Sequence, residues 1–357
     1  MDRYDIIVVG SGPAGATFTR ILNENNRVLM VDRRPLDKKP LNVIKNCGGL
    51  IAPDAQKALA GFGLSLPVDI LVTPQTFAVE TLDFDNNMIR SYQRHYVNVD
   101  RELFDRWLLS LCDTQNVQKS FSTHFIGAKK TKDGYIVTLK KENKRYEVFT
   151  SMIVGADGAN SKVKKDLMQK ENKPEKYVSI QEWFENKTEL NRYVAIFDNE
   201  ISDFYSWVIP KGQYIIFGSA IKENENVHKL HQLQKEKLAR YGYDLSAPVK
   251  RSGSYILRPK SFKDISLGTK DVVLIGEAAG FISPTSAEGI SYAMISGAQL
   301  AQALNKDMQN FASLYRKNST SLRCNIIKKM LKYPFMYNRF IRKIIFKANI
   351  GTLDIKT

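Results

Sequence analysis

Cysteine is scarce: this 357-residue chain has three, Cys47, Cys112 and Cys324, scattered and without CxxC spacing. That excludes a disulfide framework and a zinc site of paired thiols, and it suits a reducing compartment. Long apolar runs are missing too. No stretch reaches the ~18 consecutive apolar residues that span a bilayer. The first apolar run, Asp5 to Val9, passes into a glycine loop instead of a cleavage site, so a cytoplasmic protein is expected. His228 and His231 lie three apart in a polar helical stretch with no third ligand nearby. They read as surface histidines, and no metal is expected.

Acidic residues are nearly absent from one end. From Arg316 onward there are eleven basic residues against one acid, Asp354, so most of the formal charge of +16 belongs to that end. Charge of this sign suits an anionic partner. No recognition module accompanies it, so nucleic acid is not expected. Ile326, Ile327, Met330 and Leu331, then Tyr337, Phe340, Ile341, Ile344 and Ile345, recur at helical spacing, with lysines and arginines on the other faces. Two amphipathic helices joined at Pro334 follow, either lying peripherally on an anionic membrane surface or docked on the body with solvated lysines.

The rest of the chain, with 43% hydrophobic and 25% charged residues overall, can bury a full core as one large or two interleaved domains. Asp5 to Val9 is a buried strand. Gly10-Ser-Gly12-Pro13-Ala14-Gly15 follows it, then a helix over Ala16 to Asn25 and a second buried strand, Arg27 to Val31, ending in Asp32-Arg33. In this βαβ unit Gly10 permits the tight turn, Gly12 lets backbone amides approach a pyrophosphate, and Gly15 lets helix and strand pack closely. Asp32 is spaced to accept from an adenosine ribose. FAD and NAD both satisfy the pattern.

Two later motifs choose between them. Ala128 to Thr150 reads as an antiparallel meander turning at Asp133-Gly134, followed by a buried strand, Ser151 to Val154, and Gly155-Ala-Asp157-Gly158. Asp271 to Ile275 is a further strand, closing with Gly276-Glu277 and, after Pro284, with Glu288-Gly289 before a helix from Ile290 to about Leu304. Together these motifs resemble the para-hydroxybenzoate-hydroxylase-like superfamily of FAD proteins. The resemblance implies FAD, with Asp157 near the cofactor and Glu277, where the family has Asp, on the ribityl chain. Arg101, in Asn98-Val-Asp-Arg101-Glu-Leu-Phe104, matches a flavin-contacting arginine at a helix start. The helix start at Gly289-Ile290 offers positive potential where reduced flavin carries negative charge.

Strand-like segments over Thr76 to Phe84, Tyr177 to Phe184, Tyr193 to Phe197, Tyr205 to Ile209 and Tyr214 to Ala220 are not needed by a Rossmann core, and they read as a sheet roofing a pocket. Within and beside them, Cys47-Gly48-Gly49-Leu50 and Tyr205-Ser-Trp207-Val-Ile209-Pro210 resemble the geranylgeranyl reductase family. In that family the cysteine loop borders the flavin and the aromatic stretch lines a lipid tunnel. Cys47 and Gly48 are thus expected beside the cofactor, and Cys47, Tyr205 and Trp207 in the pocket. The plain readings are a small residue in a tight loop and an ordinary aromatic core.

The expected fold is α/β: a glutathione-reductase-type Rossmann FAD domain (1–75, 96–170, 266–310), an interleaved mixed-sheet substrate domain (76–95, 171–265) and a C-terminal basic helical tail (311–357). The resemblance implies a reductase passing hydride from flavin N5 to a double bond of an apolar or isoprenoid substrate. An aromatic monooxygenase and a flavin-holding membrane protein without turnover are the alternatives. No second dinucleotide loop is present, so NADPH, NADH and a ferredoxin-like protein all stand as electron donors.

Overall fold

The computed structural model describes residues 1–38, 46–168, 174–187 and 189–353, which leaves Asp354 and Lys356 outside the described residues. Along the chain run β1 (Arg3–Val9), α1 (Pro13–Ile21), β2 (Val28–Val31), β3 (Leu50–Ile51), α2 (Pro53–Gly61), β4 (Thr76–Asp83), β5 (Met88–Asn98), α3 (Arg101–Ser110), β6 (Val117–Ser120), β7 (Thr123–Lys130), β8 (Tyr135–Lys141) and β9 (Lys144–Gly155). Then come α4 (Lys162–Leu167), β10 (Glu175–Glu185), β11 (Tyr193–Phe197), β12 (Ser206–Lys211), β13 (Tyr214–Lys222), α5 (Val227–Ala239), β14 (Lys250–Arg258), β15 (Val272–Leu274) and α6 (Ile290–Lys306). The chain closes with α7 (Phe311–Asn318), α8 (Thr320–Leu331), α9 (Tyr333–Tyr337) and α10 (Arg339–Lys347). Two compact units emerge: Met1–Val43, Glu102–Glu175 and Leu257–Lys328 form the first, and Ile44–Arg101, Lys176–Ile256 and Lys329–Thr357 the second.

The first unit is built on a sheet in the order β6-β2-β1-β9-β8-β7, with β15 also on β9. β6, β2, β1, β9 and β15 are parallel, and β9-β8-β7 form the antiparallel meander. β1 and β2 are buried over their apolar runs, as expected of strands covered on both faces. The helix after β1 begins at Pro13 rather than Ala16 and ends at Ile21, because proline's fixed φ suits the first helical turn. The meander turn is longer than the Asp133-Gly134 pair: Lys130 pairs with Tyr135, and Thr131 N donates to Gly134 O at 2.8 Å.

The second unit is an eight-stranded mixed sheet, β14-β10-β13-β12-β11-β4-β5-β3. One face is an apolar core of Phe184, Val194, Ile196, Val208, Ile215 and Phe217, closed by Leu238 of α5. The unit takes in residues 44–75 and 96–101, beyond the boundaries expected from sequence, because β3 pairs with β5 and β5 with β4. β5 is rich in Arg, Gln and His and lacks a clean alternation of burial, so no sequence pattern marks it as a strand.

Two expectations fail here. His231 is not a surface residue: only 4% exposed, it stacks on Phe217 and lies within 3.1 Å of Ser219 Oγ and 3.4 Å of the Glu182 carboxylate. Its helix, α5, covers the sheet, and burial lowers its pKa despite Glu182. The tail has two breaks where one was expected: α8 ends at Leu331 and Pro334 stands in the first turn of α9, and a second break falls at Asn338, whose side chain caps α10. Among the described residues no helix is long and apolar enough to cross a membrane, and no His/Cys/Asp/Glu group is arranged for a metal.

Candidate functional site

In the first unit the three glycine motifs come from the carboxyl ends of parallel strands, so they share one edge of the sheet. Close backbone approach demonstrates the convergence. A Cβ on Gly10, whose φ is +102°, would lie 2.4 Å from Ala156 O, which ties the first motif to the second. A Cβ on Gly276 would lie 2.9 Å from Ala14 Cβ, which ties the first to the third. A Cβ on Gly15 would meet Gly10 O at 2.0 Å, so the loop folds flat onto its own helix. α1 and α6 start at Gly12 and Gly289 with no side-chain cap and no acid in the first turn. Their first-turn amides, Ile290 included, are thus available as donors to an anion. This glycine-walled, donor-lined edge fits a dinucleotide pyrophosphate.

Asp32 directly follows β2 at the same edge. Its Oδ2 accepts from Ser11 N, Ser11 Oγ and Arg34 Nη2 at 2.9, 2.6 and 3.0 Å, and its Oδ1 accepts from Arg34 N and Nε at 2.8 and 3.1 Å. Burial alone would raise its pKa, but the charge and hydrogen bonds of Arg34, with Ser11, bring it down to about 2. Five donors already fill the carboxylate, so a ribose hydroxyl binds there only as Ser11 Oγ or the Arg34 fork gives way. Arg33 is exposed, and Arg34, which no motif singled out, turns inward instead.

Asp157 and Glu277 are engaged within the fold. Asp157 Oδ2 accepts from Lys162 N at 2.7 Å and Val163 N at 3.2 Å, at the start of α4. Burial raises its pKa against those bonds. Glu277 Oε1 accepts from Leu257 N at 2.9 Å. Arg101, the first residue of α3, is buried and groups with the second unit.

The second unit holds Cys47, Gly48, Tyr205 and Trp207. The two motifs that carry them touch: a Cβ on Gly48 would lie 2.3 Å from Ile209 Cδ1, and one on Gly49 would lie 2.7 Å from Lys211 Nζ. Lys211 is 6% exposed and donates to Val99 O at 2.8 Å, to Gly49 O at 3.3 Å and to Asn98 Oδ1. Three acceptors for three ammonium hydrogens clamp the cysteine loop to the end of β5. Burial brings the Lys211 pKa down to about 7, against the charges of Cys47 and Asp100. Nothing in the sequence around Lys211 tells a buried lysine from an exposed one.

Tyr205 packs on Trp207 with ring centroids 5.5 Å apart and on Phe204 at 5.1 Å. Tyr337 of α9 joins Phe197 and Phe204 at 5.5 and 5.7 Å. Burial, reinforced by the phenols of Tyr193, Tyr337 and Tyr96, pushes the Tyr205 hydroxyl well above its ordinary value, so it stays protonated.

Residues 3–316 match the family described as FAD binding domain. The chain is similar to Protein CbrA of Escherichia coli O6:H1, with 35% identity over 98% of this chain and 95% of that protein. Protein CbrA of Shigella sonnei is likewise 35% identical, over 98% of each. Among solved structures, a geranylgeranyl bacteriochlorophyll reductase-like protein from Thermoplasma acidophilum has a TM-score of 0.76 at 17% identity, covering 97% of this chain and 99% of that one. PqsL from Pseudomonas aeruginosa, a probable FAD-dependent monooxygenase, has a TM-score of 0.70 at 14% identity, covering 97% and 100%. These two likenesses concern the fold. With the family match spanning most of its length and three glycine motifs meeting at one sheet edge, the chain belongs to the FAD-binding-domain family and is an FAD-dependent oxidoreductase.

Proposed function

We propose that the protein is a reductase of carbon–carbon double bonds in an isoprenoid or related lipid, of the geranylgeranyl reductase type. The observation that carries this reading is the contact inside the second unit between the two motifs of the resemblance, Gly48 against Ile209 with Lys211 holding Gly49. The aromatic face around Tyr205 and Trp207 suits an apolar chain.

FAD, when bound, supplies hydride from N5. The amides of Gly12, Ala14 and Gly15, with Pro13 setting the turn, and the side chain of Asp32 would hold its pyrophosphate and ribose, with Arg101, Asp157, Glu277 and the amides of Gly289 and Ile290 as further contacts. Tyr205 keeps its proton at Oη and serves as a hydrogen-bond donor, Trp207 orients the apolar chain, and the Cys47 thiol is the candidate proton source.

The test is anaerobic reduction with NADPH, NADH and a low-potential ferredoxin-like donor, followed by a geranylgeranyl lipid and mass analysis. Hydrogenated lipid is expected. Absence of hydride transfer, together with substrate-stimulated oxygen uptake and a hydroxylated aromatic product, would overturn the reading in favour of a monooxygenase.

An anionic membrane surface is the proposed partner, so that the enzyme works peripherally on the lipid phase. What supports it is the orientation of α10. Arg342, 2% exposed, turns inward to Asp83 and Asp85, and Phe346 turns in with it, while Phe340 and Ile344 are left 63% and 68% exposed beside Arg339, Lys343 and Lys347. An outward stripe that is both apolar and basic matches an anionic lipid surface. Co-sedimentation with phosphatidylglycerol vesicles, lost in Lys343→Glu/Lys347→Glu and absent with phosphatidylcholine, is expected; equal binding by the variant counts against it.

A further inference from the structure

The sheet face of the second unit opposite α5 carries polar atoms that the fold leaves unmatched. Gln181 of β10 pairs in register with Gly218 of β13, and Gly218 with Trp207 of β12, so the three form one row on one face. Gln181 is 2% and Trp207 6% exposed. Neither Gln181 Oε1 nor Trp207 Nε1 has a hydrogen-bond partner among the described residues, and neither has Trp183 Nε1, two residues along β10 on the same face. Buried donors and acceptors are nearly always matched, so a set of them on one face points to a missing polar partner.

The surrounding geometry singles out this row. A Cβ on Gly218 would lie 2.4 and 2.5 Å from Trp207 Cε2 and Nε1, so the N–H edge of the indole rests directly on the glycine. Above the sheet, Asn46 Nδ2 donates to Ser179 O at 2.9 Å, while Gly48 abuts Ile209. Ser179 and Ile209 belong to the rows on either side of Gln181-Gly218-Trp207. The stretch from Asn46 to Gly48, with Cys47 at its centre, therefore crosses the face from one side of this row to the other.

We propose that Gln181 and Trp207 form a subsite that recognises a hydroxyl group on the substrate. A hydroxyl accepts from the indole N–H and donates to the carboxamide oxygen through one atom. A carbonyl would serve the indole alone, and an ammonium the carboxamide alone. The inference rests on the isoprenoid reading above and narrows it to a long-chain prenol or another lipid with a free hydroxyl, held at the polar end beside Cys47.

Equilibrium binding of geranylgeraniol, and of the matching hydrocarbon without the hydroxyl, to the FAD-loaded full chain tests it. Trp207→Phe keeps the ring and removes the donor; Gln181→Met keeps the bulk and removes the acceptor. Each is expected to weaken geranylgeraniol binding by roughly 5- to 10-fold beyond any change it makes to hydrocarbon binding, the scale of one buried neutral hydrogen bond. Equal losses for both probes, or no loss for the alcohol in either variant, overturn the subsite while leaving the isoprenoid reading intact. Failure of the wild type to bind either probe overturns both. Melting temperatures of the two variants show whether a loss reflects unfolding.

Discussion

Arg34 Nη1 donates to the Asp105 carboxylate at 2.7 Å, joining the loop after β2 to the middle of α3. Asp105 is fully buried, and the other side of the same guanidinium engages Asp32. One side chain thus neutralises two buried carboxylates beside the glycine loop, whose Ser11 also donates to Asp32. Arg34→Leu removes the charge that both buried carboxylates share and is expected to cost about 3–5 kcal/mol, seen as a lower midpoint in urea. The same bonds hold the Asp32 pKa at about 2, below the ordinary aspartate value of 3.8. Their contribution is full above pH 4 or so and disappears as pH falls through about 2, so the variant's deficit should shrink in acid.

Gly15→Ala tests the pyrophosphate loop. Its methyl would sit 2.0 Å from Gly10 O, a contact that nothing short of moving the loop relieves. The purified variant is expected to be colourless, with FAD affinity reduced at least 100-fold on the order-of-magnitude scale of losing several charge-assisted hydrogen bonds. A yellow variant with native flavin content would remove this loop from the cofactor site.

Lys211 gives a pH signature. Its folded pKa, brought down to about 7, lies below the ordinary lysine value of 10.5, so the unfolded chain holds a proton there that the folded chain releases. Stability therefore rises with pH between those values, by up to about 1.4 kcal/mol per pH unit, and the penalty is fully present below pH 7. Denaturant titrations at pH 7.5 and 9.5 should show this rise in the wild type and not in Lys211→Met. The variant should also free the cysteine loop, read as faster alkylation of Cys47 in a Cys324→Ser background.

Arg342→Leu should release the last helix. Asp83 is 1% exposed, and its two oxygens accept from Arg342 at 2.7 and 2.9 Å, so removing the guanidinium is expected to cost about 3–5 kcal/mol. Limited proteolysis should cut near Asn338 in the variant first. An unchanged cleavage pattern would show that Phe346 and its neighbours suffice to dock α10.

The Rossmann half was legible because its signals are local. Gly10, Gly12 and Gly15 sit between an apolar run and a helix, and the spacing to Asp32 is set by the length of one βαβ unit. The strands around Tyr177, Tyr193 and Tyr214 were legible for the same reason, since β-branched and aromatic residues cluster within each. β5 was not, because polar residues on a partly exposed strand carry no period.

What the sequence determined by itself was the cofactor fold, because glycine at those positions is required whatever surrounds it. Tertiary structure alone decided that Arg34 rather than Arg33 turns inward, that His231, Lys211 and Arg342 are buried while Phe340 and Ile344 are exposed, and that Gln181 and Trp207 share a row. A charged or polar side chain is tolerated inside only where partners far along the chain meet it, and no local pattern records where those partners fall.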